Sequence, residues 1–208
     1  MIKKDVFTTL AELPKLIKVK KLLRPRPGDT RDCLGARVAA NAARIPRRSA
    51  FVCEGQTMDW QHFNAAANRY AAVFRAQGLK RGDAVSVLME NRIDFMVVVI
   101  ALNKLGVIAS LINTSLTGRP LTHCAEITGA HKFLFGEECM GAVADVRSAL
   151  PLADGDYLFV PDCGERTTPD WALNMADAAA LTTADNPPET ADITIEDVAF
   201  YIFTSGTT

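Results

Sequence analysis

Five residues near the end of the chain, Thr204-Ser205-Gly206-Thr207-Thr208, hold four hydroxyls and one glycine. Glycine lets a backbone turn tightly and approach a ligand closely. Successive N–H groups in such a turn can form a concave anion nest, and the hydroxyls add further donors to phosphate oxygens. A Ser/Thr/Gly cluster on its own is ordinarily a turn. This one follows directly on Ile195 to Phe203, an apolar, aromatic-containing run that reads as a buried strand. A strand delivering such a loop is a candidate grip for a polyphosphate. It is not a Walker A loop, because no G-x-x-x-x-G-K-[ST] is present.

The elements that must position this loop are legible upstream. A helix is expected from Thr30 to Ala43, with Leu34, Val38 and Ala42 on one face and Pro46 ending it. Phe51–Cys53 and Thr57–Trp60 form a hairpin around Glu54-Gly55-Gln56. Phe63 to Gln77 is a helix stopped by Gly78. Strands at 84–89, 107–112, 132–135 and 157–160 then alternate with helices at 92–105, 121–128 and 138–150. Alternation at this spacing predicts an α/β fold: three layers, a mainly parallel sheet with helices on both faces. Residues 161–194, rich in Thr, Asp and Pro, read as loop before the last strand. The stretch 93–112 has the length of a membrane span, but Asp94, Asn103 and Lys104 and the dividing Gly106 favour a buried helix followed by a buried strand.

At 208 residues the chain can bury one sizeable core, and its apolar and charged fractions are those of ordinary globular proteins. Its charge is unevenly placed. Residues 1–31 carry nine Lys/Arg against Asp5, Glu12 and Asp29, which leaves the remainder acidic, so the folded part is no nucleic-acid binder. The chain divides into a basic, roughly amphipathic segment over 1–31, interrupted by Pro14 and closed by Pro25 and Pro27, and a domain over 32–208. The segment reads either as a helix lying on an anionic membrane surface or as a solvated helix packing its leucines on the domain. Five cysteines with no C-x-x-C pair, and no apolar h-region in the first thirty residues, predict reduced thiols in a cytoplasmic protein, peripheral at the inner membrane face if the basic segment binds there. No His/Cys cluster has metal-ligand spacing. His62, His123 and His131 are expected as capping or packing residues rather than bases, and Asn113 as a loop cap.

Tyr201-Ile202-Phe203-Thr204-Ser205-Gly206-Thr207-Thr208 resembles the opening of the phosphate-loop signature of the adenylate-forming enzymes: acyl-CoA synthetases, luciferases and peptide-synthetase adenylation domains. In that family the run continues with glycine and ends in a lysine. Other stretches share the likeness: Leu79-Lys80-Arg81-Gly82-Asp83-Ala84-Val85 leading into a strand, Met89-Glu90-Asn91 before a helix, and Lys104 through Asn113. Leu111-Ile112-Asn113-Thr114-Ser115-Leu116 followed by Leu121-Thr122-His123-Cys124 most resembles the very-long-chain acyl-CoA synthetases, or fatty acid transport proteins. The resemblance covers about residues 30–208.

It implies ATP-dependent, two-step ligation. A fatty carboxylate attacks the α-phosphate of ATP to give acyl-adenylate and pyrophosphate, and the thiol of coenzyme A then displaces AMP. ATP and Mg2+ are the implied cofactors, CoA the co-substrate and a fatty acid the partner. Thr204, Ser205, Gly206, Thr207 and Thr208 map onto the phosphate-binding positions. No catalytic residue and no metal ligand is carried over, because the family holds its adenine contacts, magnesium-linked glutamate and adenylation lysine further along the chain. The expectation is therefore an N-terminal portion of a long- or very-long-chain fatty acid–CoA ligase that is inactive by itself. Two alternatives stand beside it: a non-catalytic membrane-surface or assembly module keeping part of the fold, and a portion of another adenylate-forming ligase.

Overall fold

The computed structural model describes Val19 and residues 23–203. The five phosphate-loop residues Thr204–Thr208, and most of the basic segment, lie outside the described residues. Two compact units are present, Met1–Thr30 and Arg31–Thr208. In the first, the Thr30 hydroxyl donates back to the Pro27 carbonyl oxygen.

In the second unit, helix α1 spans Leu34–Arg44. It starts later than the predicted Thr30, because the preceding residues are held extended: Arg31 bridges Thr194 antiparallel, and the Asp32 N–H donates to the Ile193 carbonyl. The Cys33 sulfur accepts the Ala36 N–H and caps the helix. The predicted hairpin forms from β1 (Ser49–Cys53) and β2 (Gln56–Asp59). Glu54 and Gly55 both take positive φ, 49° and 79°, as a tight two-residue turn requires. Asp59 caps α2 (Trp60–Ala76) by accepting the His62 N–H at 2.8 Å.

The alternating section folds as a six-stranded sheet. Its strands are β3 (Ala84–Leu88), β4 (Ile108–Leu111), β5 (Lys132–Gly136), β6 (Tyr157–Val160), β7 (Ala172–Asn174) and β8 (Phe200–Ile202). Their spatial order is β7-β6-β5-β3-β4-β8, and every neighbouring pair is parallel. The crossover helices are α3 (Ile93–Lys104), α4 (Gly118–Ile127), α5 (Met140–Val146) and α6 (Met175–Ala180).

Two-residue periodicity divides the core between the two faces of the sheet. On β5 and β6, Leu134, Leu158 and Val160 pack with α2, α3 and α6, whereas Phe133, Phe135, Tyr157 and Phe159 pack with α4 and α5. This is the three-layer arrangement. Strands buried on both faces have no polar side to show, which is why β3, β5 and β6 read as nearly continuous apolar runs. Helix α3 is apolar on nearly all sides and is buried accordingly, from Val97 to Lys104 without a break. Among the described residues, no helix is long and apolar enough to cross a membrane.

Three stretches depart from the sequence expectation. The helix predicted over 138–150 is broken: a 3-10 turn at Glu137–Cys139, then α5, then a second 3-10 turn at Arg147–Ala149. The loop predicted over 161–194 contains β7, α6 and a 3-10 turn at Pro188–Asp192. Trp171 anchors this stretch, stacked on Phe135 at 5.4 Å and edge-on to Tyr157 at 5.2 Å. The strand predicted over 195–203 shortens to Phe200–Ile202. Its first part is a turn in which the Asp197 carboxylate accepts the Thr194 N–H at 2.7 Å and is paired with Arg81.

Candidate functional site

All six strands run parallel, so their carboxyl ends share one edge of the sheet. β3 leads into α3 on one face, while its neighbour β4 leads into α4 on the other. Adjacent strands whose connections leave to opposite faces open a crevice at their carboxyl ends, the usual ligand position in such sheets. β8 lies on the far side of β4, with Ile202 level with Leu111. Phe203 packs against the α4/α5 face. The described chain therefore leaves β8 at Phe203, at this edge, just beyond the level of Leu111. Thr204, Ser205, Gly206, Thr207 and Thr208 are themselves outside the described residues.

The residues of the β4 exit are pre-arranged. Asn113 Oδ1 accepts both the Ser115 N–H and the Ser115 hydroxyl, each at 2.9 Å. This is the loop-capping role expected of Asn113, a local Asx turn.

The neighbouring half of the edge is closed by a network that no local sequence pattern announces. Arg92, at the start of α3, is mostly buried and ion-pairs with Glu138, which follows β5. The same guanidinium donates to the carbonyl oxygens of Val160 and Pro161 at 3.2 Å, at the end of β6. Glu138 in turn accepts the Glu90 N–H at 2.7 Å, so one Arg–Glu pair ties the exits of β3, β5 and β6. Gly136 makes room for this: a Cβ there would collide with the Glu138 carboxylate. Next to it Glu137, almost fully buried, accepts N–H bonds from Asp162, Gly164 and Arg166. Those donors, Asp162 first, hold its carboxyl below the usual carboxylate range, so it stays ionised and keeps the β6 exit loop wrapped.

Above this network lies a recess of about 200 Å³, lined by Glu90, Arg92, Asp94, Glu138, Asp162 and the hairpin residue Glu54. Five carboxylates surround one cation whose charge is already taken by Glu138, so the recess repels phosphate. Sequence reading missed the Arg92–Glu138 pair because its partners belong to separate elements. The glycine before two glutamates at a strand end was the only local hint.

The three histidines are scattered. His62 meets Asp59 at the start of α2, His131 lies 3.5 Å from Asp83 before β5, and His123 is exposed on α4. Among the described residues, no group of three or more His, Cys, Asp or Glu side chains could hold a metal ion, so no residue here is assigned to magnesium.

Comparison with known proteins accords with this geometry. A family model described as AMP-binding enzyme matches residues 38–208. Long-chain fatty acid transport protein 1 of Mus musculus is 34% identical, over 94% of this chain and 30% of that protein. The medium/long-chain-fatty-acid–CoA ligase FadD6 of Mycobacterium tuberculosis is 31% identical, over 96% of this chain and 31% of that protein. The chain thus spans about 30% of the length of these curated relatives. Among solved structures, the N-terminal domain of FACL13 from Mycobacterium tuberculosis superposes with a TM-score of 0.69 at 24% identity, covering 84% of this chain and 42% of that one. The anthranilate CoA ligase AuaEII, in complex with anthranoyl-AMP, gives 0.77 at 18% identity, covering 88% and 34%. At such identities the structural likeness speaks for the fold alone. With the family model extending over residues 38–208, the chain belongs to the AMP-binding enzyme family.

Proposed function

We propose that this chain supplies the phosphate-holding part of an ATP-dependent, AMP-forming ligase that joins long- or very-long-chain fatty acids to coenzyme A. One observation carries the reading: β8 lies parallel to β4 and ends at the carboxyl edge of a doubly wound sheet, where the sequence continues as Thr204-Ser205-Gly206-Thr207-Thr208. The similarity to a fatty acid transport protein and to a fatty-acid–CoA ligase favours a fatty acyl substrate over an aryl one.

A carboxylate is a poor acyl donor, because hydroxide or oxide is a poor leaving group. Transfer of AMP to the carboxylate converts the leaving group to a stabilised phosphate ester. In this reading the backbone N–H groups and hydroxyls of residues 204–208 hold the polyphosphate of ATP. They neutralise charge that builds on the departing pyrophosphate, and so favour the transition state over the ground state. Magnesium, when bound with the nucleotide, supplies further charge neutralisation. CoA enters after pyrophosphate leaves, and the described residues are given no part in that step. Because the chain spans about 30% of its relatives' length, catalysis is assigned to a complete ligase containing it, and the 208-residue chain alone is expected to form no acyl-CoA.

The basic segment 1–31 adds peripheral contact with an anionic membrane, at the cytoplasmic face, where fatty acids partition. The test of the reaction is fatty-acid-dependent exchange of labelled pyrophosphate into ATP, with AMP released only when CoA is added. Exchange driven by benzoate but not by palmitate would instead favour an aryl ligase. No exchange with any carboxylic acid would favour a non-catalytic module.

A further inference from the structure

After α6 the chain crosses α2 and α3 as residues 182–192, of which only Pro187 and Thr190 are buried. Polar side chains fasten this stretch. The Thr182 hydroxyl donates to the Arg69 carbonyl oxygen at 3.3 Å, Asn68 Nδ2 donates to the Ala184 carbonyl oxygen at 2.7 Å, and the Thr190 hydroxyl donates to the Lys104 carbonyl oxygen at 2.8 Å. Glu189 lies 3.6 Å from Arg75, and Asp192 lies 3.3 Å from Arg31. Beside its far end a recess of about 400 Å³ opens between Arg75, Leu79, Leu105 and Ile193, so the stretch is not packed down there.

Its midpoint sits on a buried amine. Asn186 Oδ1 accepts three donors: the Lys104 ammonium at 3.0 Å, Asn64 Nδ2 at 3.2 Å and Asn68 Nδ2 at 3.1 Å. Lys104 is fully buried, and its other acceptor is Asn64 Oδ1 at 2.8 Å. Two neutral amide oxygens thus serve three N–H donors and a full charge. Asn68 Oδ1, also buried, has no partner. A buried charge without a counter-charge is costly to hold. Few charges face it. α1 presents the Cys33 thiol at its cap, whose sulfur is 4.0 Å from the Thr190 carbonyl oxygen. α2 presents the amides Asn64 and Asn68. Residues 182–192 carry Asp185, which is exposed, and Glu189 and Asp192, which are paired with arginines.

We propose that residues 182–192 are a proton-coupled strap, which lifts locally from α2 and α3 and does so more readily while Lys104 is charged, because the lifted strap gives the ammonium water. A stretch held by exposed polar contacts opens at lower cost than a core element. The charged amine gains hydration on opening and the neutral amine gains little, so losing the proton closes the strap. The lowered affinity of the buried amine for its proton, about 8 against 10.5 in water, has the same sign: the open form binds more protons between those values. The strap runs on into Ile193 and Thr194, which are bonded to Asp32 and bridged to Arg31. Its opening therefore slackens the chain that leads to β8.

Millisecond-pulse amide hydrogen exchange on the 208-residue chain, read by mass spectrometry at about pH 7.5 and about pH 9.5, tests this. Lys104→Met is measured beside the wild type at each pH, so that the intrinsic pH dependence of exchange cancels. The ratio of wild-type to variant exchange over 182–192 should fall at least about tenfold from the lower pH to the higher. Amides of α3 should stay protected throughout. Should Lys104→Met fail to fold by circular dichroism, Lys104→Gln takes its place. A ratio that does not change with pH would overturn the proposal, since the strap would then move independently of Lys104. Amides of α3 exchanging in step with 182–192 would overturn it too, since the event would then be unfolding of the whole domain.

Discussion

Lys104 shows how one residue can couple packing to pH. Its side chain is fully buried at the end of α3, and its ammonium donates to Asn64 Oδ1 at 2.8 Å and Asn186 Oδ1 at 3.0 Å. Neither partner is charged. Burial therefore pulls the ammonium down from its ordinary 10.5 to about 8, with proximity to Cys33 opposing the shift. Because the folded pKa lies below the unfolded one, the unfolded chain binds more protons between them. Stability should rise as pH climbs from about 8 toward 10.5, by on the order of 2 kcal/mol from this group. Urea midpoints of the wild type and Lys104→Met, compared at both ends of that window, check the sign. The difference between the two proteins should shift in favour of the wild type at high pH. A difference that does not change with pH would show that Lys104 does not titrate there.

At the scale of elements, close approach explains what composition cannot. A Cβ on Gly35 of α1 would lie 2.5 Å from Lys104 Cγ and 3.1 Å from Lys104 Cα. Gly35→Ala must therefore push α1 off the backbone of α3, and is expected to lower stability by about 1–3 kcal/mol in denaturant unfolding. An unchanged midpoint would mean that the helices separate freely. The alternation of apolar runs and helical stripes made β3 to β6 and α1 to α4 readable in sequence, since each is specified by its own residues. β7 and α6 were not. β7 is three residues long and exists because β6 pairs with it and Trp171 packs beneath, both interactions at a distance in sequence. The Asn174 cap, accepting the N–H groups of Ala176 and Asp177, was the local sign of α6 that reading the stretch as loop passed over. β8 was read too long because Asp197 pulls the chain into a turn with Thr194 and Arg81. The basic segment 1–31 lies mainly outside the described residues, and its proposed membrane role stands on charge. The chain should bind anionic vesicles and release at high salt, each Lys/Arg contributing on the order of 1 kcal/mol near the surface. Reversing Lys20 and Lys21 to Glu should weaken that binding, while equal binding to neutral vesicles would contradict it.

For the whole molecule, the fold is a doubly wound parallel sheet that sends β8 to the carboxyl edge beside β4, with the neighbouring β3, β5 and β6 exits closed by Arg92, Glu137 and Glu138. The phosphate role proposed for residues 204–208 rests on the motif, and the sheet accounts for where Phe203, the residue before it, lies. The Arg92 network was not legible, because three strands meet there only after folding. The central proposal is that residues 204–208 grip ATP during adenylate formation. It is tested most directly by palmitate-dependent exchange of labelled pyrophosphate into ATP, in a complete ligase beginning with these residues, comparing wild type with Ser205→Ala. Loss of a preorganised donor to developing phosphate charge should slow exchange about tenfold or more, with unfolding midpoints unchanged. Exchange at the wild-type rate in Ser205→Ala would contradict the account.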